Sequence, residues 1–356
     1  HNIGIGNYSL GSAIAGGEYN VAIGSFALDA LTSGDANVAV GYQAGGAVTT
    51  GIYNTLVGYQ SGLATTDGNQ NTFLGRVAGG ANTSGGVNIA IGDSAYDAAD
   101  TESNNLAIGV HALGGAVAGG EYNVAVGNTS LDALTSGDDN VAIGYNAATN
   151  TTTAPSSVAV GKDALRDQTT GGGGGAGFNI GLGAFGMYNV TTGNSNIGIG
   201  GFSSASAVDG THQLVLGYNV SGSGNSTFTF GSGASDTTVS HGSTSFSNPS
   251  DIRIKKDIET STVGLSFIND LRPVDFKFKT KGEVDPDFYL YEEGSTESCS
   301  FSDGIVNGFI AQEVKEVIDN HPEYKGDEIW KEGNADVSYR QRISKEALVP
   351  ILTKAV

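Results

Sequence analysis

The chain has 356 residues, a formal net charge of −20 and 56 glycines against only 6 prolines, which sets it apart from an average globular composition. Neither half carries a basic footprint: the first 249 residues hold 3 basic against 16 acidic side chains and the remainder 14 against 21, so nucleic acid is not expected as a partner. The single cysteine, Cys299, rules out an intrachain disulfide framework, and no stretch approaches the roughly 18 consecutive apolar residues of a membrane span.

The glycine excess is local. Residues 1–249 contain 49 of the glycines and the rest only 7, so the composition break near residue 250 reads as a domain boundary. We divide the chain into a repeat array at 1–220, a β-rich connector at 221–249 and a third domain at 250–356. The first residue is His1 rather than Met, as in a processed product or a fragment.

In the array an Asn, a short apolar run and a Gly recur thirteen times. The runs open at Asn2, Asn20, Asn37, Asn54, Asn71, Asn88, Asn105, Asn123, Asn140, Ser157, Asn179, Asn196 and Gln213. The steps are 17 or 18 residues, except for 22 between Ser157 and Asn179, where Gly171 to Gly175 reads as an insertion at a turn. The segments GGEYNVAIG at 16–24 and GGEYNVAVG at 119–127 point to an older block duplication.

A unit this short cannot hold a helical pair but suits one turn of a β-solenoid, expected here as two short strands and two turns. In NVAIG the outer apolar residues share one face and the Ala takes the other. Branched residues at the first position are expected to fill a core, while Ala and Gly let a neighbouring backbone approach. The opening Asn is expected to form a hydrogen-bonded ladder along the axis, and the closing Gly to supply a positive φ at a corner. So slender a coil buries little apolar surface, and lateral association into a homotrimer is the economical remedy.

Other readings of the array are weaker. The calcium-binding nonapeptide repeat is absent, and threonines look too irregular for an ice-binding face. Asp29, Asp132, Asp138 and Asp139 supply carboxylates for a glycosidase pair, but read more simply as solvated turn residues. Tyr42, Tyr59 and Tyr145 follow repeat glycines and form either a surface ladder for glycans or a cover for the coil. No metal or cofactor is expected.

The repeated N-(V/I)-A-(I/V)-G followed by G-x-x-A, as at Gly41 to Ala44 and Gly144 to Ala147, resembles the head repeat of YadA-type trimeric adhesins and of many bacteriophage tail fibres. The resemblance implies a trimeric, all-β rod.

The connector is rich in Ser, Gly and Thr but includes Phe228, Phe230 and Val239, which a purely flexible linker lacks. It is expected to form short strands that intertwine or cap the rod, with His241 structural.

From residue 250 the periodicity changes to that of a small α/β domain. Val263 to Leu271 has helical spacing and stops at Pro273; Val274, Phe276 and Phe278 alternate as a strand. A second strand at Gly308 to Ala311 leads into a helix over Gln312 to Asp319, which His321-Pro322 closes. The acidic stretch from Gly282 to Asp303 reads as a loop, and a last helix is expected from about Ile343, kinked at Pro350.

The blocks SDIRIKKDI at 250–258, LSFINDLRPVDFKFK at 265–279, GFIAQEV at 308–314 and the segment near Ala347 to Val356 resemble the endosialidase-type intramolecular chaperone, or peptidase S74, domain of phage tailspikes and fibres. The resemblance implies self-cleavage by a Ser/Lys pair, which maps onto Ser250 and Lys255; the Ser250-Asp251 bond is the one expected to be cut, and the sequence leaves the bond just before Ser250 open. A Ser hydroxyl becomes a nucleophile when a base takes its proton, and a Lys serves if nearby cations such as Arg253 and Lys256 lower its pKa. Residues five apart do not meet along an unbroken strand or helix. The segment therefore bends near Asp251, or Lys255 reaches Ser250 of a neighbouring subunit.

Together these readings describe a virion tail fibre or tailspike, assembled in a host cytoplasm. It is expected to attach to a host cell-surface receptor, such as a glycan, to contact other virion tail proteins, and to insert in no membrane. The competing readings are a cellular trimeric adhesin, which would end in a membrane-anchoring β-barrel, and a polysaccharide-degrading tailspike.

Overall fold

The computed structural model describes residues 1–12, 15–117, 119–169, 177–233, 235–243, 256–258, 260–286, 291–299, 304–324, 329–331, 342–343, 348–349 and 351–352. The chain separates into two compact units, His1–Ser250 and Asp251–Val356.

The first unit is a β-solenoid of about 13 turns. Each turn contributes one three-residue strand, from β1 (Ile3–Ile5), β2 (Val21–Ile23) and β3 (Val38–Val40) through β4 (Thr55–Val57), β5 (Thr72–Leu74), β6 (Ile89–Ile91) and β7 (Leu106–Ile108). It continues with β8 (Val124–Val126), β9 (Val141–Ile143), β10 (Val158–Val160), β11 (Ile180–Leu182) and β12 (Ile197–Ile199) to β13, Leu214–Tyr218. These strands stack in parallel and in register, so that Val21 pairs with Val38, Ala22 with Ala39 and Ile23 with Val40. The long 22-residue step leaves the register intact, with Val158 opposite Ile180. The glycines read as an insertion, Gly171 to Gly175, lie outside the described residues.

The turn itself differs from expectation, since it holds one strand and not two. The remainder of each coil is a chain of tight bends, with three left-handed positions per turn. In the second turn these are Phe26 (φ 60°), Leu28 (φ 48°) and Ala36 (φ 53°). Such a conformation costs a non-glycine residue roughly 1–2 kcal/mol, and the compensation is axial hydrogen bonding. The amide of Phe26 donates to the Asn7 carbonyl at 2.9 Å, that of Leu28 to Ala44 at 3.1 Å and that of Ala36 to Glu18 at 2.9 Å. Each bend thereby becomes a rung of its own ladder. The closing glycine does take a positive φ, +137° at Gly24, where an added Cβ would stand 2.3 Å from the Gly41 carbonyl oxygen. No other residue fits that column.

The facing of the strands also corrects the sequence reading. The middle residue of each strand, usually Ala, points into the coil: Ala22, Ala39, Ala90, Ala107 and Ala125 are wholly buried. The branched residues on either side point outward, so Val and Ile do not fill the coil's core as expected. Its interior is filled instead by bend residues such as Leu28, Leu31, Leu113, Leu131, Leu134 and Leu165.

The expected Asn ladder is present. In the third turn Asn37 is fully buried. Its backbone amide and its Nδ2 both donate to Oδ1 of Asn20, at 2.9 and 3.0 Å, and Nδ2 also donates to the Gly51 carbonyl at 2.8 Å. At the two places where Asn is replaced, another amide takes over the donor's part. Gln168 Nε2 donates to Ser157 Oγ at 2.9 Å, and Gln213 Nε2 to Ser206 Oγ at 2.8 Å. The buried Asn side chains of the column thus find partners, which offsets the desolvation cost of burying them, whereas Gln168 Oε1 is buried without one.

The connector closes the sheet. β14 (Thr227–Ser232) pairs in parallel with β13, and β15 (Ser235–Ser240) turns back antiparallel on β14. Thr227 and Thr229 point inward and Phe228 and Phe230 outward, continuing the outward columns of Leu214 and Leu216.

The second unit has a small core of Val263, Phe267, Leu271, Val314, Ile329, Leu348 and Ile351. Helix α1 spans Leu265–Asp270 and α2 spans Ala311–Asn320. The strands β16 (Val274–Phe276) and β17 (Val306–Gly308) pair antiparallel, Val274 opposite Gly308. Ile343, expected to open the last helix, belongs instead to the two-residue strand β19 (Arg342–Ile343), paired with β18, Trp330–Lys331. Helical residues appear at Val349, Ile351 and Leu352.

Candidate functional site

Ser250, Asp251, Arg253 and Lys255 lie outside the described residues. Lys256, which follows them, is exposed.

The described part of the second unit contains a polar framework that the sequence did not announce. α1 ends at Asp270, and its carboxylate meets His321 Nε2 at 2.8 Å; Nδ1 of the same ring meets Glu323 Oε1 at 2.7 Å. The ring sits edge-on to Phe267, 5.3 Å between centroids, and Phe267 in turn lies against Tyr324 at 5.5 Å. Two carboxylates on one imidazole favour its charged form, so the His321 pKa is raised above its ordinary 6.5, first by Glu323 and then by Asp270, against the opposing effect of burial. The same bond holds Glu323 below the usual carboxylate range.

A second tie lies one residue beyond α1. Arg272 Nε donates to Glu313 Oε2 at 2.9 Å and its Nη2 donates to Oε1, a fork-to-carboxylate pairing that joins the α1–β16 turn to the first turn of α2. Glu313 is thereby held low and Arg272 high. The only sequence signal for these pairs was the charge pattern within LRPVDF and AQEV, since partners 41 and 51 residues apart share no local spacing. Further on, Lys281 binds Glu292 at 2.9 Å and Glu297 at 2.7 Å, which gathers the described part of the acidic stretch into a closed loop.

On the solenoid the most extensive surface feature is the outward face of the sheet. Its two columns, one beginning at Ile3, Val21 and Val38 and the other at Ile5, Ile23 and Val40, are apolar at every strand to β14 except for Thr55 and Thr72. Ile5, Ile23, Leu74, Ile89, Ile143, Ile199 and Leu216 are all more than a third exposed. So continuous an apolar stripe marks an interaction surface.

The tyrosines proposed for glycans behave differently from one another. Tyr42 and Tyr59 stack face to face, 5.4 Å apart and 17° from parallel, in a ladder that Phe26 and Tyr8 continue. Each of the two rings thus has one face covered by the other. Tyr145 has no ring partner among the described residues. Of the four aspartates, Asp138 accepts from the Glu121 amide at 2.9 Å, a turn role. Asp132 is pushed upward by partial burial, an effect that His111 opposes.

Among the described residues no group of His, Cys, Asp and Glu could hold a metal ion, and no helix is long and apolar enough to cross a membrane.

Residues 250–321 match the family model described as chaperone of endosialidase, the peptidase S74 family. No curated protein and no solved structure compared with the chain gives a match. The matched segment takes in Ser250, Asp251 and Lys255, and also Asp270, Arg272, Glu313 and His321 of the polar framework. With this domain placed after a β-solenoid of about 13 turns, the chain has the make-up of a tail-fibre-like protein that carries a C-terminal chaperone of the endosialidase type.

Proposed function

We propose that the protein is a homotrimeric fibre or tailspike of a virion, attached through its solenoid to a host cell surface. On this reading its C-terminal domain directs the three chains into register and then cuts itself free between Ser250 and Asp251. The observation that carries the reading is the outward stripe of Val and Ile. A coil whose own core is Ala and Leu leaves its branched residues in water, and burial against copies of itself removes that surface at about 25 cal/mol per Å². A chaperone domain on the same chain supplies the means of aligning them.

In the proposed cleavage the Ser250 hydroxyl gives its proton to the neutral Lys255 amine and attacks the Ser250 carbonyl carbon of a neighbouring subunit, or closes a four-membered β-lactone on its own. The peptide C–N bond to Asp251 breaks, the Asp251 nitrogen takes up the proton, and water then hydrolyses the ester. The reaction runs once per chain, and because separation removes the folding aid, it makes the finished fibre hard to unfold and refold.

The test is the mass of the purified protein by light scattering, expected at three times the 36.1 kDa chain or three times the cleaved fragment. Ile143→Glu, a change at a 41% exposed position on the stripe, is expected to give monomers or aggregates in place of trimers. A monomeric wild type, or an Ile143→Glu protein that is still trimeric, overturns the reading.

A further inference from the structure

A second column runs along the solenoid at the residue just before each Asn, and between Tyr19 and Asp139 its Tyr and Val side chains fall on alternate turns, a rhythm that ends at Ser156 and Phe178. Tyr19, Tyr53 and Tyr122 occupy it at 61, 59 and 57% exposure, with φ of 61, 60 and 59°. Val87 fills the intervening place in the series. The alternate turns carry Ala36, Gln70, Asn104 and Asp139 at the same position.

The alternation extends to the neighbouring backbone. Asp35 Oδ1 accepts from the Glu18 amide at 2.8 Å, Asn69 Oδ1 from Ile52 at 2.8 Å, Ser103 Oγ from Gly86 at 3.0 Å and Asp138 Oδ1 from Glu121 at 2.9 Å. Each acceptor lies on the turn after an aromatic or Val turn and fixes the backbone next to that ring. From Tyr19 to Asp139 the structural repeat along this edge is therefore a pair of coils.

This arrangement leaves the ring faces free at Tyr53 and Tyr122. In the ladder of Tyr8 to Tyr59 adjacent turns carry aromatics that cover one another, whereas the turns on either side of Tyr53 and Tyr122 carry a short or polar side chain, Ala36, Gln70, Asn104 or Asp139. Two strand spacings, roughly 9.5 Å, separate Tyr19 from Tyr53, about the length of two linked sugar rings, and four, roughly 19 Å, separate Tyr53 from Tyr122, with Val87 between them. Among the described residues the rings of Tyr53 and Tyr122 have no ring partner and no side-chain hydrogen bond. At Tyr19 the imidazole of His1, the residue of this column on the preceding turn, lies flat on one face of the ring, 5.3 Å away and 5° from parallel, so a ring of this column accepts a flat partner. Gln70, Asn104 and Asp139 stand between the sites with groups that hydrogen-bond hydroxyls. Interposed polar groups of this kind are depleted at the core of a protein–protein contact, and the array's net −13 opposes a polyanion.

We infer that Tyr19, Tyr53 and Tyr122 are stacking subsites for a neutral polysaccharide lying along the solenoid axis, with the polar residues of the alternate turns as its hydrogen-bonding partners. The site rests on the attachment reading and gives it a ligand class. Affinity electrophoresis of the intact protein through gels containing dextran, mannan or hydroxyethylcellulose tests it. At least one polymer is expected to retard the wild type, and Tyr53→Ala/Tyr122→Ala to lose roughly tenfold in affinity, with Tyr42→Ala unchanged. Nitration with tetranitromethane, read by mass spectrometry, is expected to modify Tyr53 and Tyr122 in the assembled protein and to be blocked by the retarding polymer. The inference fails if none of the three polymers retards the wild type, if the double variant binds as wild type does, or if the two tyrosines resist nitration in the assembly because copies of the chain cover them. A protein that is trimeric by mass yet fails any of these overturns the subsites while leaving the trimeric fibre standing.

Discussion

Gly79 exists for Phe73. Phe73 is a large inward residue at a column otherwise dominated by Ala, and a Cβ on Gly79 would lie 2.4 Å from its Cδ2 atom. The same exchange accompanies Leu56, which a Cβ on Gly62 would approach to 2.8 Å. In most turns with an inward Ala the facing position holds a larger residue such as Leu28, Leu131 or Leu165, while Gly45 accompanies Ala39 and Ala148 accompanies Ala142. In most turns the bulk of the coil section is thus shared between the two positions.

Gly79→Ala is accordingly expected to cost about 1–3 kcal/mol through overpacking, more than its left-handed backbone (φ 61°) alone would exact. Denaturant unfolding of Phe73→Leu/Gly79→Ala is expected to show a smaller loss than the sum of the single changes. Strict additivity would mean that the two residues do not share the space.

The Asn ladder makes a second expectation. Removing the side chain of Asn54 orphans the Asn71 amide, which donates to Asn54 Oδ1 at 3.0 Å, and the Gly68 carbonyl, which accepts from Asn54 Nδ2 at 2.8 Å. Asn54→Ala is expected to destabilise by roughly 2–4 kcal/mol, two buried groups left unpaired. Thermal melts followed by circular dichroism measure it. A change below half a kilocalorie per mole would mean that water replaces the rung without cost.

For the chaperone unit the expectation concerns pH. His321 is held charged by Glu323 and Asp270, so its folded pKa stands above 6.5. The stability from this clamp is fully present below pH 6.5 and is lost as pH rises through the higher folded value. Melting of the unit within the whole chain is therefore expected to fall between neutral and mildly alkaline pH, and His321→Gln to flatten that dependence. An unchanged slope in the variant would assign the pH response to other groups.

Self-cleavage makes the fourth. The wild type is expected to yield two fragments on denaturing electrophoresis, and Ser250→Ala and Lys255→Ala each a single 36.1 kDa species. Co-expression of the two variants distinguishes the geometries: mixed trimers regain cut chains if Lys255 serves a neighbour's Ser250, and stay whole if the pair forms within one chain. A wild type that trimerises and stays uncut removes the assignment.

The repeat period, the in-register stack, the Asn column and the positive φ of the closing Gly were legible because each depends on residue type at a fixed spacing. The block order after residue 250 was legible for the same reason. Which way the strand faced was not. Alternation places Ala opposite Val and Ile but is silent on which side is inside, and the answer came from the bends, whose Leu residues fill the coil and push the branched side chains out. The left-handed positions at Phe26, Leu28 and Ala36 were hidden too, since no local preference favours them and only the axial hydrogen bonds to adjacent turns offset their cost. Nor did the sequence reveal the clamp on His321 or the pairing of Arg272 with Glu313, because contacts between residues 41 or 51 apart are made by the folded core. The sequence by itself determined that a repeating coil precedes a chaperone domain. The tertiary structure alone decided which face of that coil is left for another molecule, because burial belongs to the whole section of the coil and to no single strand.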